Sequence, residues 1–241
     1  MENKMQYKNV ELLIATLFCI GLTGLQAQTV KDIDNNVYKT VKIGKQIWMA
    51  ENLKTTKYRN GDTIGTTTPA TLDISTENIP KYQWAYENDE SKVAIYGRLY
   101  TWYVTTDSRN ICPKGWHVPT DAEWTILTDY LINNGFGNGG SGMEITKSMA
   151  ATSGWIANSL KGNVGNDQLS NNSSGFSAFA GGYRYGIGSF NELGSYSYWW
   201  SSTEVNSTTA WYRNLSEQRN DAYRDNTNKQ NGISVRCLKD H

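Results

Sequence analysis

The amino-acid sequence predicts a mixed α+β domain of short strands, one clear helix and long irregular loops. Three observations carry that prediction. Residues 120–133 hold a capped amphipathic helix, the last third of the chain is a series of short β-prone runs between turns, and Cys112 and Cys237 form an even pair far apart in sequence. Composition agrees. Four prolines stand against 22 glycines, with nine Trp and 15 Tyr, which favours strands, tight turns and aromatic packing. A hydrophobic share of 38% with 19% charged residues fits a folded chain rather than a disordered one.

The first 27 residues read as an export signal. Lys4 and Lys8 precede a run of apolar and small residues from Leu12 to Leu25, ending at Leu25-Gln26-Ala27. That run is shorter than the roughly 20 residues a membrane-spanning helix needs, and no later segment is long and apolar enough. Cleavage is expected after Ala27, leaving residues 28–241 as a single domain in the periplasm, at the cell surface or outside the cell. The rival is a lipoprotein signal with Cys19 as the modified residue, which the bulky Phe18 fits poorly. Once Cys19 is removed, Cys112 and Cys237 remain in an oxidising compartment and read as one disulfide rather than two buried thiols. Closing a loop of 125 positions is worth about 5 kcal/mol at most in the chain-entropy model, and it returns the C-terminal strand to the middle of the sequence.

In chain order, Thr40–Ile43 and Gln46–Met49 flank Gly44-Lys45, which predicts a β-hairpin with a type II′ turn. Residues 58–95 are polar and turn-rich and are expected to be mostly loop. Tyr96–Thr105 is aromatic enough for a buried helix or a strand, and its period does not decide between them. Trp116-His117-Val118 is a short strand. Thr120 then caps a helix in which Glu123 completes a capping box, and Trp124, Leu127 and Leu131 form one apolar stripe. Asn133-Asn134-Gly135 ends it. Residues 135–142 are glycine-rich loop, Met143–Ser153 holds a second, weaker helix, and residues 155–174 are long surface loop. Short strands are expected at Phe176–Phe179, Tyr198–Ser201, Ala210–Arg213, Asp221–Arg224 and Ile233–Cys237.

Seven stretches together resemble the Fibrobacter succinogenes major paralogous domain family of secreted bacterial proteins. They are IGKQIWMAENL (43–53), YGRLYTWY (96–103), CPKGWHVPTDAEW (112–124), GFSAFAGGYR (175–184), YWWSSTE (198–204), AWYRNL (210–215) and NGISVRC (231–237). The family carries no established activity. Its pattern in turn looks like the C-type-lectin-like fold in its formylglycine-generating-enzyme variety. That resemblance implies a twisted antiparallel core, long loops and a final strand packed beside earlier ones. Some proteins of this fold are diversified by retroelements in a C-terminal variable region, and the Asn-, Tyr-, Ser- and Asp-rich tail is compatible with that.

The chemistry points to binding. A net charge of zero offers no footprint for phosphate backbones, so nucleic acid is not expected as a partner. Two histidines leave little room for a zinc enzyme. The oxidising cysteine pair of formylglycine-generating relatives is missing. His117 has no nucleophile elbow to serve and reads as a structural strand histidine. Asp121/Glu123 and Glu87/Asp89/Glu90 are the carboxylates an enzyme would use, but Glu123 reads as a cap and residues 87–90 as a solvated loop. No cofactor or metal is expected, although Asn220-Asp221 and Asp225-Asn226 offer oxygen donors suited to calcium.

Between residues 183 and 228, Tyr and Trp supply stiff contact surface while Ser, Gly and Asn supply adaptable hydrogen bonds. Trp199, Trp200 and Trp211 lie in strand-like runs and are expected in the core. The exposed, turn-proximal candidates for ligand contact are Tyr183, Tyr185, Asn191, Glu192, Tyr196, Asn206, Arg219, Asp221, Arg224, Asp225 and Asn228. The expectation is an exported, non-enzymatic protein that binds a glycan or a surface protein. The alternatives are a carbohydrate-active or protein-modifying enzyme working through carboxylates, and a structural component of the cell envelope.

Overall fold

A computed structural model describes residues 28–140 and 142–240. The expected export signal, with its rival at Cys19, lies outside the described residues. In chain order the strands are β1 (Thr29–Lys31), β2 (Val37–Ile43), β3 (Gln46–Met49), β4 (Gln83–Trp84), β5 (Leu99–Tyr100), β6 (Trp116–His117), β7 (Gly181–Arg184), β8 (Phe190–Leu193), β9 (Tyr196–Glu204), β10 (Thr209–Ser216), β11 (Tyr223–Asn228), β12 (Ile233–Ser234) and β13 (Leu238–Lys239). The helices are α1 (Val93–Tyr96), α2 (Trp102–Thr105), α3 (Asp121–Asn133) and α4 (Thr146–Met149). The architecture is α+β, with more strand than helix.

Two sheets and a separate hairpin make the fold. One sheet has the order β1-β2-β3-β13-β6 and the other β11-β10-β9-β12-β5-β4, with β7-β8 beside them. The C-terminal segment joins the sheets. β12 pairs in parallel with β9 and antiparallel with β5, and a few residues later Leu238 of β13 pairs with both Trp48 and His117. Cys237 lies between these insertions and is bonded to Cys112, with the Cα atoms 6.0 Å apart. Both cysteines are buried.

Local chemistry explains the elements. Ile43 and Gln46 pair across a two-residue turn in which Gly44 has φ +60°, as a type II′ turn requires. A Cβ at Gly44 would also sit 2.8 Å from the Tyr130 ring. In α3 the Thr120 hydroxyl accepts from the Glu123 amide while the Glu123 carboxylate accepts from the Thr120 amide, completing the capping box. Trp124, Leu127 and Leu131 are its buried face. That face packs with Trp48, Trp199 and Phe176 in one core, and a second core on the other side of β9 holds Trp200, Tyr100, Val235 and the cystine.

Asn52 bridges distant parts of the chain. Its Oδ1 accepts from Trp199 Nε1 (2.8 Å) and from Nε and Nη2 of the buried Arg236, while its Nδ2 donates to the Tyr96 carbonyl. Arg236 also donates to the carbonyls of Phe176 and Ser177 and stacks on the Phe176 ring.

Several sequence expectations are corrected. Phe176–Phe179 is not a strand, because Ser177 takes a left-handed φ of +58° and leaves Ala178 one isolated bridge to Ala150. Tyr96–Thr105 is both of its alternatives in turn, the strand β5 followed by the single turn α2. The expected helix at 143–153 shrinks to the one turn of α4, and the strand expected from Asp221 starts at Tyr223. Residues 155–174 are irregular but not all surface, since Trp155, Val164 and Asn171 are buried. Trp211 is not core: it is half-buried, with the Arg224 guanidinium 3.3 Å from its ring centre. The register shift between Ala210 and Tyr212 falls at this position. No helix among the described residues is long and apolar enough to cross a membrane.

Candidate functional site

Strand parity decides what β9, β10 and β11 present on each face. Tyr212 pairs with Trp200 and Asp225, and Asn214 pairs with Tyr198 and Tyr223, so these side chains share a face with Tyr196 and Thr227. Trp199, Arg213 and Arg224 occupy the opposite face, toward α3. The β7–β8 hairpin covers part of the first face. Two backbone hydrogen bonds between Arg184 and Gly232 dock it onto the start of β12. The Arg184 side chain is fully buried, donates to the carbonyls of Ala70, Leu72 and Tyr185, and stacks on Trp84.

Between hairpin and sheet lies a cleft of about 220 Å³ lined by Tyr183, Tyr185, Glu192, Tyr198, Tyr212, Thr227 and Ile233. Its rings are turned against one another. Tyr183 lies 4.6 Å from Tyr185 and 5.0 Å from Tyr198, Tyr198 lies 5.5 Å from Tyr212, and the interplanar angles run from 60° to 68°. Tyr196 stacks on Tyr198 at 5.7 Å, extending the aromatic surface. Burial pushes the Tyr183 and Tyr198 hydroxyls well above the usual phenol range, and Tyr212 up to about 12, reinforced by nearby carboxylates. Tyr183, Tyr198 and Tyr212 are therefore neutral phenols at physiological pH.

Glu192 is the one charged residue of the lining, and its backbone is unusual. It has φ +65°, directly across the hairpin from Gly182 at φ +61°, between the pairs Tyr183–Asn191 and Gly181–Leu193. Left-handed conformation in a non-glycine residue costs about 1–3 kcal/mol and persists only where the surroundings impose it. Gly182 admits the facing strand at close range, because a Cβ at that position would lie 2.3 Å from the Asn191 carbonyl oxygen. The Tyr198 hydroxyl donates to Glu192 Oε2.

The sequence candidates therefore separate. Tyr183, Tyr185 and Glu192 meet in the cleft, with Tyr196 and Asp225 on the same face beside Tyr198 and Tyr212. Tyr183 is a correction to the expected exposure: at 9% exposed it is buried in β7, and only part of its ring reaches the cleft. Tyr196 opens β9 directly after the turn at 194–195 and is half-buried. The other candidates stand elsewhere. Asn191 holds Ser189 on the hairpin, and the Asn206 carboxamide accepts from Thr208 and Thr209 to shape its own turn. Arg219 pairs with Asp221 and covers Tyr223. Arg224 is on the far face, paired with Asp121, and Asn228 lines a smaller cavity beside Tyr185 and Gln230. Tyr198, Tyr212, Thr227 and Ile233 were not among the candidates. The alternation Tyr196, Tyr198, Trp200 against Ser197, Trp199, Ser201 is the signal that could have found the first of them.

A family model described as the Fibrobacter succinogenes major domain matches residues 41–239. The chain belongs to that family. No curated protein and no solved structure matches it. In this Fibrobacter succinogenes major domain the motif stretches mostly hold the fold. Asn52 and Arg236 form the buried bridge, Thr120 and Glu123 cap α3, and Asp121 pairs with the buried Arg213 at 2.6 Å. His117 sits between carboxylates, 2.7 Å from Asp240 and 2.9 Å from Glu123. The acidic loop is similarly engaged, Glu87 with Lys92, Asp89 with Ser91 and Glu90 with Arg98. Among the described residues no group of three or more His, Cys, Asp or Glu is placed to hold a metal. The donors considered for calcium do not converge: Asn220 donates to Glu144, Asp221 accepts from Arg219, and Asp225 accepts from the Asn226 amide. Tyr185, Glu192 and Thr227, by contrast, lie in the cleft and outside the motif stretches.

Proposed function

We propose that this chain is an exported, non-enzymatic binding protein that recognises a glycan or a protein through the tyrosine-lined cleft. The observation that carries the reading is the cleft itself. Four tyrosines and one carboxylate converge between a docked hairpin and a sheet, on elements held rigid by buried arginines and a disulfide. Tyrosines offer wide apolar contact and a polar tip at little entropic cost, the combination a recognition surface needs. Export is supported by the character of residues 1–27 and by a cystine, which persists in oxidising compartments. A C-type-lectin-like fold belongs to the same reading, supported by the return of the last strands to both sheets and by the long irregular segments around α3 and α4.

An array of glycans and cell-surface proteins probed with the purified protein tests this. Saturable retention that is lost in Tyr212→Ala, without turnover of the retained molecule, is the expected result. Chemical conversion of a retained glycan or protein would overturn it in favour of an enzyme, and so would the absence of any retention.

A further inference from the structure

We propose that the cleft selects an alkylammonium group, the head of a lysine side chain presented by a protein ligand. The proposal rests on the binding reading above and names the chemistry of what is bound. Its basis is an uncompensated charge. No Lys or Arg lines the cleft, whereas Glu192 does, and Asp225 pairs in register with Tyr212 on the same face. Among the described residues neither Glu192 nor Asp225 has a cation within ion-pair distance. In a chain with zero formal net charge, two unpaired carboxylates beside one cavity make a local negative site.

The tyrosines favour the same ligand. Aromatic faces attract cations through their quadrupole, and rings set at 60–68° to one another form adjoining walls rather than a flat stack. The phenol oxygens of Tyr183, Tyr198 and Tyr212, whose ionisation burial further disfavours, can accept hydrogen bonds from an ammonium without requiring a counter-ion. Tyr198 engages Oε2 of Glu192, and Oε1 has no partner among the described residues. Glu192 stands at the cleft on a left-handed backbone, opposite a glycine that admits no side chain, a conformation that costs free energy and is met most often at functional positions. A volume of about 220 Å³ suits one small head group better than an oligosaccharide.

Isothermal titration of the purified protein with Nα-acetyl-lysine methylamide, and with the uncharged norleucine analogue that has the same four side-chain carbons and lacks only the terminal amine, tests the proposal. The lysine compound is expected to bind about tenfold or more tightly than the norleucine compound, with the difference shrinking as salt is raised. Glu192→Gln is expected to remove most of that preference and Asp225→Asn part of it, both with unchanged near-ultraviolet dichroism and thermal midpoint. Choline, a quaternary cation without an N–H donor, is the third probe; binding stronger than that of the lysine compound would overturn the lysine assignment. Equal affinity for the lysine and norleucine compounds, or a preference that survives Glu192→Gln, would overturn the proposal. If a glycan from the array is retained through Tyr212 while no cation binds, the ammonium assignment fails and the binding function stands.

Discussion

Trp199 and Trp200, adjacent in β9, send their indoles to opposite faces of one sheet and into two different cores. Trp199 Nε1 donates to Asn52 Oδ1 at 2.8 Å, and its ring packs against Trp124 and Phe176. Trp200 Nε1 donates to the Tyr100 carbonyl at 2.7 Å. Both residues are fully buried. Alanine at either position is expected to cost about 3–5 kcal/mol in urea unfolding, through lost burial and the cavity left behind. Trp199→Phe keeps an aromatic ring and removes the indole donor, so its cost should be smaller. Equal losses for Trp199→Phe and Trp199→Ala would contradict the account.

Asp121 neutralises two arginines of unequal burial. Arg213 is buried and lies 2.6 Å from one carboxylate oxygen, whereas Arg224 is exposed and lies 2.8 Å from the other. Burial presses on the Arg213 charge, and among the described residues Asp121 is the one carboxylate paired with it. Asp121→Asn should therefore destabilise the protein by about 3–5 kcal/mol, because it leaves a buried cation without an anion. Arg224→Ala should cost about 1 kcal/mol or less, with some loss of cover over Trp211. Denaturant midpoints of the two variants, measured side by side, give the contrast directly.

Asp34 should contribute to acid sensitivity. Burial alone would raise its pKa, but hydrogen bonds from the Thr56 amide and hydroxyl and from Thr55, with Lys57 at 3.0 Å, bring it down from 3.8 to about 2. A carboxylate whose folded value lies below its unfolded value stabilises the fold at pH above about 4. That contribution is lost as pH falls toward 2. Asp34→Asn should cost up to about 2 kcal/mol at neutral pH and little near pH 2, so the two stability curves converge on the acid side. Asp107, lowered by Arg109 with burial opposing, adds a parallel dependence that the variant leaves intact.

The disulfide closes a covalent loop of 125 positions. Peptide mapping without reductant should recover Cys112 linked to Cys237. Replacing both cysteines by alanine is expected to cost about 2–5 kcal/mol, since 125 positions of unfolded chain regain their freedom. The largest local effect should appear in amide exchange of β12 and β13. An unchanged midpoint would show that strand insertion alone secures the C-terminus.

Local signals made part of this molecule readable from its residues. The capping box at Thr120 and Glu123, the stripe Trp124–Leu127–Leu131 and the glycine turn between β2 and β3 depend on neighbours within a few positions, so spacing alone specifies them. The cystine was legible for a different reason, since two cysteines in a chain whose N-terminus reads as an export signal have few other roles. The candidate site was only half visible. Tyr185 and Glu192 stood out by residue type and turn proximity, whereas Tyr198 and Tyr212 were hidden inside aromatic strand runs. Trp211 and Tyr183 were misplaced in opposite directions, one expected in the core and one at the surface.

What residue order determined here is therefore periodicity, caps, turns and the means of cross-linking. Tertiary structure decided which face each strand residue serves. A strand reverses its side chains at every step, and no property of Trp199 or Trp200 states which core is theirs until β12 enters between β9 and β5 and α3 packs on one side. The same physical fact separates Arg224 from Asp225, neighbours that share a composition-based case for ligand contact. One is spent on Asp121 and Trp211 across the sheet, and the other stands unpaired beside the tyrosines.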